Sequence, residues 1–392
     1  MASRPSPEAA PPEGPSRPAW AEIDLDAIRD NLAALRRAAA PAAVLAVVKG
    51  NAYGHGAVPV ARAALDAGAW GLGVATVDEG VELRRAGIAA PVLVLGSLLP
   101  DEAGRAVAHD LALTVSDDRV ADAAARSAGA TGRTARLHLK VDTGMGRIGA
   151  APHDAVALAR RLAALPHAVL EGCATHFAAA DAVDLGSAEA QLELFRGVLD
   201  ALDRGAIRPV WRHAANSAAT LALPASHFNL VRCGIALYGV APAPHLRGRA
   251  PLRPAMRVRA RVVHRKRVAA GTAVGYGGRY RAPRETTIAT LPIGYADGYP
   301  RLAGDRGSVL IGDARLPIAG RISMDQITVD AGDTPVDVGD AAELWGAGLP
   351  VDDVAEAAQT IAYEVLARTA RRLPRVFLEH GRVRAVQTLL DG

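Results

Sequence analysis

One repeated pattern restricts the fold of this chain more than any other feature. From about residue 43 to 235, short apolar runs alternate with amphipathic stretches, as in repeated βα units around a parallel sheet. The runs fall at 43–48 (AVLAVV), 71–76 (GLGVAT), 91–95 (PVLVL), 111–115 (LALTV), 135–141 (ARLHLKV), 168–175 (AVLEGCAT), 208–212 and 228–231. Eight such runs predict an α/β fold, an N-terminal (β/α)8 TIM-like barrel. Barrels take about 250 residues, which leaves room in 392 for one smaller domain. The segments between the runs, such as 57–67 and 151–164, have helical spacing and many Ala and Leu residues. Beyond residue 253 the texture becomes β-rich, with runs at 257–268, 286–293, 307–311, 326–330 and 341–345, a helical stretch at 350–370 and final strands near 375–387. The expected organisation is a disordered Pro-rich tail over 1–18, the barrel over 19–252 and a mostly-β C-terminal domain over 253–392.

Composition removes several function classes. Hydrophobic residues make up 50% and charged residues 22%, a balance for a large buried core rather than a disordered chain. Cys173 and Cys233 are the only cysteines, too few for a disulfide framework or a cysteine-based zinc site, which points to a reducing cytoplasm. The first 18 residues lack the apolar core of a secretory signal, and the run from Ile88 to Pro100 is too short to cross a bilayer. Seven basic residues lie between Arg253 and Arg267, but RVRARVV alternates like one solvated strand face and offers no aromatic for base stacking. Neither a membrane nor a nucleic-acid partner is expected, and no metal site.

The basic residues are unevenly divided. Of 45, only Lys49, Lys140 and Lys266 are lysine, leaving 42 arginines. Where arginine serves as well, this chain uses it, so each surviving lysine is a candidate for chemistry a guanidinium cannot do, such as an imine or a carbamate, with three lysines left by chance as the plain alternative. Lys49 follows the first barrel run, Lys140 and Asp142 close the fifth, His176 follows the sixth, His213 the seventh and Arg232 the eighth. In a barrel these positions converge on the carboxyl-end face, where such enzymes place their chemistry. Lys266, in HRKRV, reads as solvated.

The stretch AVVKGNAYGHG at 46–56 resembles the pyridoxal-phosphate lysine motif of the alanine racemases. The resemblance continues through LKVDTGMGRIG at 139–149, THFAAAD at 175–181, HAANSAA at 213–219 and VRCGIALYG at 231–239. It extends over VGYGGRY at 274–280, LPIGYADGYPR at 291–301, GRISMDQ at 320–326 and AYEV at 362–365. It implies interconversion of L- and D-alanine, an isomerase activity that supplies D-alanine for peptidoglycan, with pyridoxal 5'-phosphate as cofactor. Racemisation needs a base on each face of the substrate α-carbon. The resemblance gives these roles to Lys49, which holds the cofactor as an imine and serves the D-substrate face, and to Tyr276, which serves the L-substrate face. A basic tyrosine requires a lowered pKa, and His176 is the neighbour implied. Without the resemblance, Tyr276 would read as filling space in a Gly-rich turn.

Further roles follow from the same resemblance. Arg232 donates to the pyridine nitrogen; by itself it reads equally as a surface arginine. Tyr53, Ser217, Gly234, Ile235 and Tyr363 bind the phosphate, whereas Asn216 reads as a turn residue. Lys140 is a candidate for carbamylation, which would turn a cation into an anion holding Arg147 against the substrate carboxylate; ordinary surface charges at Lys140 and Asp142 are the plain alternative. Met324 and Tyr295 line the substrate site, and Ser323 departs from the cysteine common in the family. In the family, Tyr276 and Met324 complete the site of another subunit, so a homodimer with an intersubunit site is implied. An apolar pocket separates alanine from serine by only about 1–3 kcal/mol, so a broader small amino-acid (serine) racemase is one alternative. Others are a non-catalytic pyridoxal-phosphate carrier on the same barrel and a related decarboxylase.

Overall fold

The structure, a computed structural model, describes residue 15 and residues 17–391. Most of the tail expected over 1–18 lies outside the described residues. Its end differs from the expectation, because Arg17 is bound to Asp297 and the Pro18 carbonyl accepts from the Arg261 N–H at 2.7 Å.

The chain divides into two compact units, one of Ala27–Arg253 and one of residues up to Asp26 together with Pro254–Gly392. The first strand, β1 (Ala19–Asp24), expected within the barrel segment, therefore belongs with the C-terminal part. It pairs antiparallel with Met256–Arg261 and parallel with Arg375–Glu379, in register Ala19↔Ala260 and Ala21↔Arg375. AWAEID carries no mark of its partners, because the pairing spans more than two hundred residues.

In the unit of residues 27–253, eight parallel strands form a nearly closed barrel. They are β2 (Ala43–Val47), β3 (Gly71–Val74), β4 (Val92–Val94), β5 (Ala112–Val115), β6 (Ala135–Lys140), β7 (Ala168–Ala174), β8 (Trp211–His213) and β9 (Leu230–Cys233). The order β8-β7-β6-β5-β4-β3-β2-β9 returns β9 to β2 through Leu45↔Arg232. Asn229 bridges the remaining gap, accepting from the Arg212 N–H at 2.8 Å and donating to the Val210 carbonyl at 2.6 Å. Parallel strands covered on both faces need continuous apolar runs, which is why these segments were legible. Leu45, Leu93, Ala112 and Leu230 form one buried cluster with Trp70 and Trp211, whose rings lie 4.3 Å apart. Each large side chain so buried contributes about 1.5–3 kcal/mol. Between strands, helices start at readable caps: Thr76 and Glu79 form a reciprocal capping box, and Asp117 and Asn216 accept from backbone N–H groups.

The C-terminal unit holds a seven-stranded sheet containing β1 and a three-stranded sheet of His264–Val268, Thr286–Leu291 and Ile327–Gly332. The run expected over 257–268 splits after Arg261, and the helical stretch expected over 350–370 splits into Val351–Ala357 and Ala362–Ala367. Among the described residues, no helix is long and apolar enough to cross a membrane.

Candidate active site

Lys49 sits two residues past the end of β2, at the start of a short turn built the wrong way round for L-residues. Gly50, Asn51, Ala52 and Tyr53 all have φ between 50° and 62°. Left-handed backbone costs a non-glycine residue roughly 1–2 kcal/mol, so three of them in succession after Gly50 need external support. It comes from the Glu79 carboxylate accepting from the Gly50 N–H at 2.7 Å, and from the Asn51 Oδ1 accepting from the Ala57 N–H at 2.8 Å. Glu79 also accepts from the Ala75 N–H at 2.6 Å, so one carboxylate ties the lysine turn to the capped helix behind β3.

The lysine amine is held below its ordinary pKa, first by desolvation at the barrel mouth and then by the cations of Arg147 and Arg232, with Glu79 opposing. Lys140, at the end of β6, is buried and pushed well below its ordinary value by desolvation, Arg232 and Arg147. It makes no side-chain hydrogen bond or ion pair among the described residues. Asp142 shapes the loop that carries Arg147 by accepting from the N–H groups of Gly144, Met145 and Gly146 at 2.8–3.1 Å. Glycine is required at 149, where a Cβ would lie 2.5 Å from the Asp142 nitrogen.

Arg232, on β9, is the buried centre of the mouth. Its Nη1 donates to His213 Nδ1 at 2.8 Å and to the His213 carbonyl at 2.9 Å. Its Nη2 donates to the Thr175 and Ala214 carbonyls and to His176 Nδ1 at 3.2 Å. Both terminal nitrogens are thus committed, while Nε has no partner among the described residues. Burial lowers the Arg232 pKa to about 10, which leaves it cationic at neutral pH. His176 is lowered to about 2 by desolvation and by Arg232, Lys140, Arg147 and Lys49, so its ring is neutral.

A guanidinium only donates, and this fixes the protons of a longer chain. Because His213 Nδ1 accepts from Arg232, its Nε2–H donates to His138 Nδ1 at 2.9 Å, and His138 Nε2–H in turn donates to Glu171 at 3.2 Å. His138 and Glu171 were missed in the sequence. A signal existed in ARLHLKV, where Arg136, His138 and Lys140 share one face of the strand by alternation.

A second group of predicted residues meets after β9. Ser217 Oγ accepts from the Gly234 N–H at 2.8 Å, and a Cβ at Gly234 would lie 2.5 Å from Tyr53 Oη. Burial raises the Tyr53 pKa to about 12, so its hydroxyl stays protonated. Ile235 opens the short helical turn that follows. Asn216 is the cap of the helix Ser217–Ala222, as its reading as a turn residue suggested.

The C-terminal unit carries the other predicted residues. Tyr276 stands 69% exposed on a turn where Gly275, Gly277 and Gly278 all have positive φ. Tyr295 and Met324 are brought together: the Tyr295 N–H donates to the Ser323 carbonyl at 3.1 Å and the Ala296 N–H to the Met324 carbonyl at 3.0 Å. Tyr363 lies in the helix Ala362–Ala367, near a cavity of about 340 Å³ lined by Tyr295, Arg301, Thr360, Glu364 and Arg368.

Fold and site define a barrel enzyme with a β-rich second unit and, at the barrel mouth, a desolvated lysine amine among arginines. The chain matches the alanine racemase N-terminal domain over residues 23–242 and the alanine racemase C-terminal domain over residues 255–377. It is 45% identical to an alanine racemase of Symbiobacterium thermophilum over 366 residues, covering 92% of this chain and 97% of the relative. It is 46% identical to one of Desulforamulus reducens, covering 92% and 99%. Among solved structures it resembles the alanine racemase of the D-cycloserine producer Streptomyces lavendulae, with TM-score 0.90 and 45% identity over 94% of this chain and 98% of that one. A Bacillus anthracis alanine racemase with bound L-Ala-P matches with TM-score 0.90 and 39% identity, over 97% and 100%. The chain belongs to the alanine racemase family, an isomerase family that depends on pyridoxal 5'-phosphate.

Proposed function

We propose that the protein interconverts L- and D-alanine with two bases, Lys49 and Tyr276, on a homodimer in which Tyr276 and Met324 of one copy complete the barrel mouth of the other. The observation that carries this reading is the convergence on one barrel mouth of the Lys49 amine, the uncommitted Arg232 Nε–H and the Tyr53 and Ser217 hydroxyls beside Gly234.

These residues fit pyridoxal phosphate. The hydroxyls around Gly234 suit a phosphate, the absent Cβ there lets the Tyr53 hydroxyl close in on the backbone, and Arg232 Nε offers one donor to a ring nitrogen. Lys49 would hold the cofactor covalently, with Tyr363 as a further phosphate donor. When bound, the cofactor takes up the electron pair left as the substrate Cα–H bond breaks.

The chain's own residues then divide the work. The lowered pKa of Lys49 leaves more of its amine unprotonated near neutral pH, so Nζ can take a proton from the D-substrate face. The Tyr276 hydroxyl serves the L-substrate face beside the neutral His176. Arg232 would donate to the ring nitrogen through Nε without surrendering its proton, because a guanidinium whose pKa is lowered only to about 10 keeps that proton at neutral pH. Arg147 holds the substrate carboxylate. Lys140 supports a carbamate reading: burial and the neighbouring Arg232 and Arg147 disfavour its charged form, which favours reaction of the amine with carbon dioxide, and the product anion would relieve the crowding of those two cations. Tyr295 and Met324 limit the side chain to a size near methyl.

A chiral assay on L-alanine with added cofactor tests the reaction, and racemate is expected; carbon dioxide with amine, or no reaction, refutes it. Borohydride trapping with peptide mapping should place the adduct on Lys49. Mixing Lys49→Ala and Tyr276→Ala chains should restore activity through one intact site per heterodimer, and no recovery would refute the shared site.

A further inference from the structure

The turn that carries Tyr295 is organised by a charged group outside the substrate site. Asp297, fully buried at the end of that turn, accepts from Arg17 Nη1 at 2.5 Å and Nη2 at 3.0 Å, from Arg372 Nε at 2.7 Å and Nη2 at 3.2 Å, and from the Gly294 N–H at 2.9 Å. Arg17 Nη2 also donates to the Pro292 carbonyl at 2.8 Å, and Arg372 Nη2 to Asp325 at 2.6 Å. Two arginines and two carboxylates thus balance in charge and form one network, which repays the cost of burying Asp297.

Its two ends grip the two substrate-facing segments. Asp297, with Arg17, fixes the turn Gly294–Gly298, and Arg372 fixes Asp325, next to Met324. The segments meet through the Tyr295 and Ala296 N–H groups, at Gly294, where a Cβ would lie 2.3 Å from the Ser323 carbonyl oxygen. Arg17 is delivered from in front of β1, whose pairing with Met256–Arg261 continues through the Arg261 N–H to the Pro18 carbonyl.

We infer that Arg17 is a positioning residue: through Asp297 it sets where Tyr295 and Met324 stand, so the segment preceding the first strand takes part in substrate selection. This rests on the proposed racemase activity. Both terminal nitrogens of Arg17 are spent on Asp297 and the Pro292 carbonyl, so its effect falls on binding and selectivity rather than on proton transfer. A shift of about 1 Å in a substrate-lining group costs up to 100-fold in rate or binding; the loss of one of two arginines should cost less.

Holoenzyme of full length carrying Arg17→Ala is compared with the parent for kcat and KM on L- and D-alanine, the alanine-to-serine ratio, cofactor absorbance and amide exchange. A KM increase on the order of 10-fold is expected, with kcat within about 2-fold, a lower alanine-to-serine ratio, faster exchange at Tyr295 and Ala296 and unchanged cofactor absorbance. Arg17→Lys, which keeps charge but not the two-pronged geometry, should fall between. If Arg17→Ala loses folded holoenzyme, Arg17→Lys is judged by the same criteria. Parental KM, selectivity and exchange at residues 295–296 overturn the inference, whatever happens to thermal stability. A parent protein that racemises nothing refutes the racemase reading instead, and exchange at these two amides still reports on the clamp.

Discussion

Gly234→Ala probes the proposed phosphate cradle most directly. The new methyl would lie 2.5 Å from Tyr53 Oη and 3.2 Å from its Cζ. Ordinary carbon contacts begin near about 3.5 Å, so the hydroxyl or the backbone must move by about 1 Å. Tyr53 cannot retreat freely, because its ring lies 4.8 Å from that of Tyr238, whose hydroxyl is fixed to the Val47 carbonyl at 2.8 Å. Overpacking of this kind costs about 1–3 kcal/mol. Displacing one or two donors to a charged ligand costs about 1.5–3 kcal/mol each, so cofactor affinity should fall by roughly 10- to 100-fold or more. The clash lies mainly with one oxygen, so Tyr53→Phe should relieve it. Denaturation without cofactor of the parent, both single variants and the double variant should give a favourable coupling of at least about 1 kcal/mol. Additivity within about 0.5 kcal/mol, or parental stability and cofactor affinity for Gly234→Ala, would refute the close approach on which the cradle depends.

Three further perturbations follow from the barrel. His176 and His213 are held neutral in the folded protein and titrate near 6.5 when unfolded, so the unfolded chain binds more protons in acid. Stability should be level above about pH 6.5 with respect to these groups and fall below it by up to about 1.4 kcal/mol per pH unit for each, measured by urea denaturation against pH. His138→Leu leaves the His213 Nε2–H buried and unpaired and should cost about 1–3 kcal/mol; unchanged stability would contradict the assigned direction of that chain. Lys140→Arg cannot form a carbamate, so a carbamate signal from labelled bicarbonate, seen by carbon NMR in the parent, should vanish and activity fall at least about 10-fold. A parent without the signal refutes the carbamate reading.

Legibility followed the range of the forces involved. The runs at 43–48, 71–76 and 168–175 match β2, β3 and β7 because burial on both faces demands apolar residues whatever their partners. The last two runs begin later than expected. Pro209 has no N–H to give a ladder, and Phe228, with φ 48°, is not in extended backbone. Lys49, Lys140 and Arg232 were visible as ionisable residues at strand ends, and the motifs around them carried their implied roles. His138 and Glu171 were not singled out, since a histidine inside a strand matters only once another histidine is known to face it. Arg17 falls in a stretch whose proline content predicts disorder, because proline content describes local preference and says nothing of a buried carboxylate far along the chain.

The alternation of apolar runs and helices was enough to determine a barrel followed by a β-rich part, because hydrophobic burial reads local periodicity. The same sequence placed a scarce lysine at the end of the first barrel strand. Tertiary structure alone decided that β1 joins the C-terminal sheet, that Arg232 keeps Nε uncommitted while five hydrogen bonds from its terminal nitrogens hold it, and that Arg17 reaches Asp297. Those outcomes depend on which distant groups meet, and on how far burial lowers the charge a lysine or histidine carries, neither of which a local stretch of residues encodes.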